Sequence, residues 1–190
     1  RAFLGGDLPQ AMAYYKQAVA YFQRLNDHQG LSSSLATLMV LGEGGSYETE
    51  TLIPAHMDYA EALAYGEQAL QTAHEISHRA AEAYALMALA QYLTPHGEYT
   101  RALDLAQASL TLAEQIEHHE WRTAAHWQLG VLYLDLLELS TAKQHLEQAL
   151  TLAQGIGSRN WIRRVVSSRL FLRNCMAAQV SSRCRLRNSR

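Results

Sequence analysis

A pattern that returns every 40 residues constrains this chain more than any single residue in it. Ala62-Leu63, Ala102-Leu103 and Ala142-Lys143 stand 40 residues apart. Seven residues after each comes a second pair: Ala69-Leu70, Ser109-Leu110 and Ala149-Leu150. Ala73, Ala113 and Ala153 follow, then Ile76, Ile116 and Ile156. An earlier copy, Ala11-Met12, Ala18-Val19 and Leu25, precedes the second by 51 residues, one period plus an insertion of 11. A period of this length marks stacked supersecondary units, none of which can bury its apolar face alone. The 190 residues therefore predict one elongated body without a central core.

Within each period the apolar spacing is helical. Ala102, Leu103, Ala106, Leu110 and Ala113 follow steps of three and four, with Arg101, Asp104, Gln107 and Glu114 between them. A second helix fits Ala124 to Leu137 through Ala125, Leu129, Leu132 and Leu136. Ala is abundant and β-branched residues are sparse, which favours helix over strand. Each period then reads as a helical hairpin of roughly 15 to 19 residues per helix, joined by short turns. Thr94-Pro95-His96-Gly97 stops a helix, because Pro disfavours a helix interior and Gly accepts the left-handed conformation. Asn26-Asp27-His28 and Gly155-Ile156-Gly157-Ser158 share one phase of the period and read as turns. The insertion, about residues 43–54, reads as a flexible surface loop between two helices of one hairpin.

These residues resemble the tetratricopeptide repeat family. The clearest unit is Leu129-Gly130-x-x-Tyr133 followed by Ala142, Leu146 and Ala149. The unit before it has Leu89-Ala90, Leu93, Ala102, Ala106 and Ser109; the first has Leu38-Met39, Gly42, Ala62, Gly66 and Ala69. The family's early Trp is His126, Leu86 and Leu35 here, and its terminal Pro is absent. The period is 40 where the family usually has 34, so the helices are expected to be longer. The resemblance spans about residues 2–168. It implies an all-α, right-handed α-solenoid of antiparallel helical hairpins whose first helices line a concave surface. By the same carry-over Tyr84, Met87, Gln91, Ala124, Trp127, Val131 and Asp135 face a groove that binds a peptide or partner domain; packing between hairpins is the other reading of Met87 and Trp127. Aromatic side chains dominate interface energetics, so an exposed Trp, Met and Tyr in a groove suit peptide recognition. Similar long repeats occur in sensor arms of large bacterial regulators.

The motifs that could carry chemistry are absorbed by the repeat. His74-Glu75-Ile76-Ser77-His78 satisfies H-E-x-x-H, in which two His one helical turn apart hold zinc. The register places these residues on the last turn of a helix and the following bend. His78 is therefore expected beyond the helix, where the spacing fails. His118, His119 and Glu120 with His126 read as a polar turn plus one helical His. Gly42-Glu43-Gly44-Gly45 follows a helix and lacks the Lys of a phosphate loop. No nucleophile has a positioned base. The chain is expected to be non-catalytic, with no metal and no cofactor.

Charge divides the chain. Residues 1–158 hold all 18 acidic residues against seven Lys or Arg, and 159–190 hold nine Arg and no acid. Trp161 still matches Trp121 one period earlier, but Arg169 falls at the phase of Leu38, Leu89 and Leu129. Residues 1–172 are read as the repeat domain and 173–190 as a basic, disordered tail. An Arg-rich tail could grip nucleic acid through phosphates, which is the alternative function; the repeat domain itself is not expected to bind nucleic acid. Cys175 and Cys184 lie outside the repeats and suit a reducing compartment. No apolar run is long enough to span a bilayer. The expected whole is a cytoplasmic interaction scaffold, without a membrane partner, forming a piece of a longer protein.

Overall fold

The computed structural model describes the backbone of residues 8–42 and 57–188 and side chains up to residue 178. Eight helices and no strand occur among the described residues: α1 (Leu8–Leu25), α2 (His28–Gly42), α3 (Tyr59–Glu75), α4 (Arg79–Leu93), α5 (Tyr99–Gln115), α6 (His119–Asp135), α7 (Leu139–Gly155) and α8 (Arg159–Asn188). Helices α2 with α3, α4 with α5, and α6 with α7 form antiparallel hairpins, and each hairpin packs on the next. This is the α-solenoid expected from the period. The expected loop at 43–54 lies outside the described residues.

Six turns repeat one hydrogen-bonding solution. In the α5–α6 turn His118 N–H donates to the Ala113 carbonyl at 2.9 Å and Glu117 N–H to Glu114 at 3.1 Å. The same two bonds recur at Asn26-Asp27, Ser77-His78, Gly97-Glu98, Leu137-Glu138 and Gly157-Ser158. They satisfy carbonyls that a helix end leaves unpaired. The geometry needs a left-handed residue, with φ of 52° at Asn26, 53° at Ser77, 79° at Gly97, 52° at Glu117, 61° at Leu137 and 66° at Gly157. In the turns that join one hairpin to the next, the following residue caps the new helix. Asp27 Oδ1 accepts from Gly30 N–H at 3.0 Å, His78 Nδ1 from Ala81 at 3.1 Å, His118 Nδ1 from Trp121 at 3.2 Å and Ser158 Oγ from Trp161 at 3.4 Å. These four residues, of three different types, occupy one phase of the repeat and do one job.

Small and large residues alternate across the hairpins. A Cβ on Gly130 would lie 2.7 Å from both Cγ and Cδ2 of Leu146, so only Gly lets α6 and α7 meet there. In the first hairpin the sizes are exchanged, and a Cβ on Gly66 of α3 would run into Met39 Sδ on α2. In the second, Ala90 and Ala106 share the position within one apolar cluster. Hydroxyl donors exchange sides similarly: Ser32 Oγ donates to the Ala69 carbonyl and Ser109 Oγ to that of Ala83, each at 2.8 Å.

The row α2, α4, α6 and α8 is packed with its backbones close, whereas the backbones of α3, α5 and α7 stay farther apart among the described residues. A stack that is tight on one side and splayed on the other curves toward the tight side. Long side chains span the outer gaps: Lys16 to Glu61 at 3.6 Å and Arg101 to Glu67 at 2.6 Å, both half-exposed. Such pairs contribute about 0–1 kcal/mol each and act chiefly on register.

Helix α8 departs from expectation. It runs for 30 residues to Asn188, so the backbone of 173–188 is helical where a disordered tail was expected from 173. No Pro or Gly follows Gly157, and the commonest residue of the segment is Arg, a good helix former.

Candidate functional site

The inner row carries the residues expected to line a groove, and its tightness decides which are reachable. Trp127 is 2% exposed and Met87 5%, and Gln91 and Ala124 are also buried. These four therefore pack between helices, which for Trp127 and Met87 is the inter-hairpin packing weighed as the other reading of the sequence. Helices α4, α6 and α8 approach closely enough that the large side chains of one fill the space beside the next. Trp127 Nε1 donates to Ser168 Oγ on α8 at 3.1 Å, and its ring lies 5.9 Å from that of Trp161. Tyr84 and Val131 are half-buried, and Asp135 is exposed at the end of α6.

Tyr84 is the pivot of the arrangement. Its hydroxyl lies 2.9 Å from Thr37 Oγ1 on α2, and its ring stacks on Trp121 of α6 at 4.9 Å. Burial pushes its pKa up, so the phenol stays neutral. One period later the same phase holds Ala124, and one period later again Arg164. The Arg164 guanidinium sits 5.5 Å from the Trp127 ring and 5.2 Å from the Trp161 ring. Trp161 Nε1 donates to Glu120 at 3.4 Å. Arg164, Trp121 and Trp161 thus belong to the inner wall but were not placed there from sequence. The signal was present: extending the 40-residue register past residue 158 puts Arg164 in line with Tyr84.

Asp135 has its pKa raised by desolvation at the end of the wall. On the other side of α6, His126 and His145 face each other with Nδ1 atoms 3.1 Å apart, and Tyr133 stacks on His145 at 5.6 Å. Burial first, then the neighbouring His145 and Arg122, lower the His126 pKa from 6.5 to about 4. Burial lowers that of His145 as well. At neutral pH both rings are uncharged and share one proton-mediated contact.

The H-E-x-x-H match does not form a site. Helix α3 ends at Glu75, Ser77 is left-handed, and His78 caps α4. His74 Nδ1 instead lies 3.2 Å from Glu82. The two His therefore stand on different helices, as the register anticipates. His118 is likewise occupied as a cap, its ring stacked on Trp121 at 5.4 Å. Among the described residues no three His, Cys, Asp or Glu side chains gather as metal ligands. None of the described helices is long and apolar enough to cross a membrane.

No protein-family model matches this chain, and no curated protein matches it in sequence. A solved structure, that of the apo form of RapI, matches it with a TM-score of 0.64 at 19% identity. The match covers 97% of this chain and 48% of that one, so the chain spans about half of RapI's length. The likeness is one of fold, and it joins the repeat register and the hairpin geometry in describing an all-α solenoid of tetratricopeptide-like hairpins.

Proposed function

We propose that this chain is a non-catalytic protein–protein interaction scaffold, the sensor region of a larger cytoplasmic bacterial regulatory protein, which binds a peptide or partner domain along its concave wall. The observation that carries this reading is the line Tyr84, Ala124, Arg164 on three successive inner helices, flanked by Trp121 and Trp161. The small, fully buried Ala124 stands in register between the Tyr84 ring and the Arg164 guanidinium, which lies over two indole rings. Aromatic side chains held in place by their neighbours lose little freedom when a partner docks, which keeps the ordering cost of binding small. Val131 and Asp135 extend the accessible part of the wall toward the end of α6, while Trp127, Met87, Gln91 and Ala124 support it from behind.

The test is selection of binders from a displayed library of short peptides, followed by affinity measurement against variants. Tyr84→Ala and Val131→Asp are expected to weaken selected peptides at least tenfold, with Gln107→Ala on the outer face of α5 as the control. Unchanged affinity in both groove variants, with loss in the outer-face variant, overturns the assignment.

A further inference from the structure

We propose that the open edge of α8 is a second docking site, which receives an amphipathic helix from an acidic partner protein as though it were the second helix of a fourth hairpin. The repeat identifies the edge. In the third hairpin His126, Gly130 and Tyr133 are the α6 residues that meet α7, through His145 and Leu146. Forty residues on, the same phase of α8 holds Val166, Leu170 and Arg173. No described helix covers them: Val166 is 40% exposed and Leu170 50%. With Lys143 of α7 and Arg169 they line a groove between α7 and α8. Its floor continues the apolar core, since Val165 and the lining residue Leu172 are buried in one cluster with Ala142, Leu146 and Ala149 of α7.

Charge and size specify the occupant. Three cations, Lys143, Arg169 and Arg173, rim the groove. Residues 159–190 contain no acid. No carboxylate among the described residues pairs with Arg169 or Arg173, and Lys143 is held only by Glu147 on its own helix at 3.8 Å. A docking helix must therefore carry carboxylates along its flanks. Leu170 sits at the phase of Met39 and Gly130, whose partners are Gly66 and Leu146 respectively. A large residue at this phase requires a small one opposite, so the incoming helix needs Gly or Ala facing Leu170. A second copy of this chain fits poorly: its first described helix, α1, holds Lys16 and Arg24 and no carboxylate.

The chain's own α3 sequence supplies a probe, because residues 59–75 contain Glu61, Glu67, Glu75 and Gly66 and no Lys or Arg. A fluorescent peptide of that sequence is titrated with the full chain and followed by anisotropy. Binding is expected to weaken at least tenfold when the peptide carries Gly66→Leu, or when its three Glu become Lys. The chain variant Arg169→Glu/Arg173→Glu is expected to lose the acidic peptide and gain the lysine one. Both positions lie outside the apolar clusters, and unchanged far-UV circular dichroism verifies the fold. Tyr84→Ala is expected to leave this binding intact, which separates it from the concave wall. Equal affinity for acidic and lysine peptides, or indifference to the Arg169/Arg173 change, overturns the proposal. So does sedimentation showing self-association that Leu170→Asp abolishes, since the groove would then hold a second copy.

Discussion

Gly130→Ala should destabilise the native chain yet stabilise a chain in which Leu146 is already Ala. On an isolated helix the change from Gly to Ala gains about 1 kcal/mol of backbone propensity. Here the new Cβ would lie 2.7 Å from Leu146 Cγ and Cδ2 and 3.4 Å from its backbone nitrogen. Cγ is the branch point of the side chain and Leu146 is fully buried, so relieving the contact means repacking its neighbours as well. Overpacking of this kind costs about 1–3 kcal/mol, leaving a net loss of roughly 1 kcal/mol. Leu146→Ala alone opens a cavity and costs about 2–5 kcal/mol. In that background the added methyl enters vacated space. It then keeps the propensity gain and adds about 0.8 kcal/mol of burial, a net gain of roughly 1–2 kcal/mol. The cycle therefore carries a coupling of about 2–3 kcal/mol, within the range for residues in contact. Urea unfolding monitored by circular dichroism measures it, and an unchanged slope licenses comparison of midpoints. Gly130→Ala moving the midpoint in the same direction in both backgrounds would refute the close-approach argument.

Other consequences follow from single features. Leu137 is 68% exposed with φ of 61°, so Leu137→Gly should relieve the left-handed penalty and raise stability by about 1 kcal/mol, seen as a higher thermal midpoint. Gly97→Ala, at φ of 79°, should lower that midpoint by a comparable amount. Replacing the cap His118 by Ala should cost about 1 kcal/mol, while Asp there should restore capping, as Asp27 does at the same phase. Acid should weaken the fold through His126: its folded pKa is about 4 against 6.5, so the unfolded chain takes up the proton first. That contribution is complete above pH 6.5 and is lost as pH falls toward 4; discounted for the partial exposure of the ring, it amounts to roughly 1–2 kcal/mol. His126→Gln should flatten the pH dependence of the urea midpoint in that window, and an equally steep dependence would contradict the assignment.

What the sequence made legible is what depends on phase. The turns at Asn26-Asp27, Thr94-Gly97 and Gly155-Ser158 lie where the period puts them, and His78 falls beyond α3 for the same reason. Which side chains of the inner helices are exposed was not legible, because that depends on curvature. Phase says which side of α6 holds Trp127; only the closeness of α4, α6 and α8 says that its ring is covered. Nor does composition reveal that residues 173–188 continue a helix, since a run of Arg without acid suggests a solvated tail whether or not the backbone is helical. The caps were hidden differently. Asp27, His78, His118 and Ser158 have no chemistry in common except an acceptor within reach of the third N–H of the next helix. A search by residue type passes over them, and at His78 and His118 it suggests a metal instead.

The same distinction bears on how the hairpins choose their neighbours. Position by position the repeat is degenerate: one phase holds Met39, Ala90 and Gly130, and the facing phase holds Gly66, Ala106 and Leu146. Taken as facing pairs they are large with small, small with small, and small with large, so space is filled each time by a different division of volume. Exchanging one helix between hairpins would place Met39 against Leu146 or Gly130 against Gly66, giving a clash or a void. Each first helix thus carries a steric specification for the helix that can close over it. Leu170 on α8 is such a specification with no described helix to meet it. That is why its partner can be stated in chemical terms: a helix small where Leu170 is large and acidic where Lys143, Arg169 and Arg173 are basic.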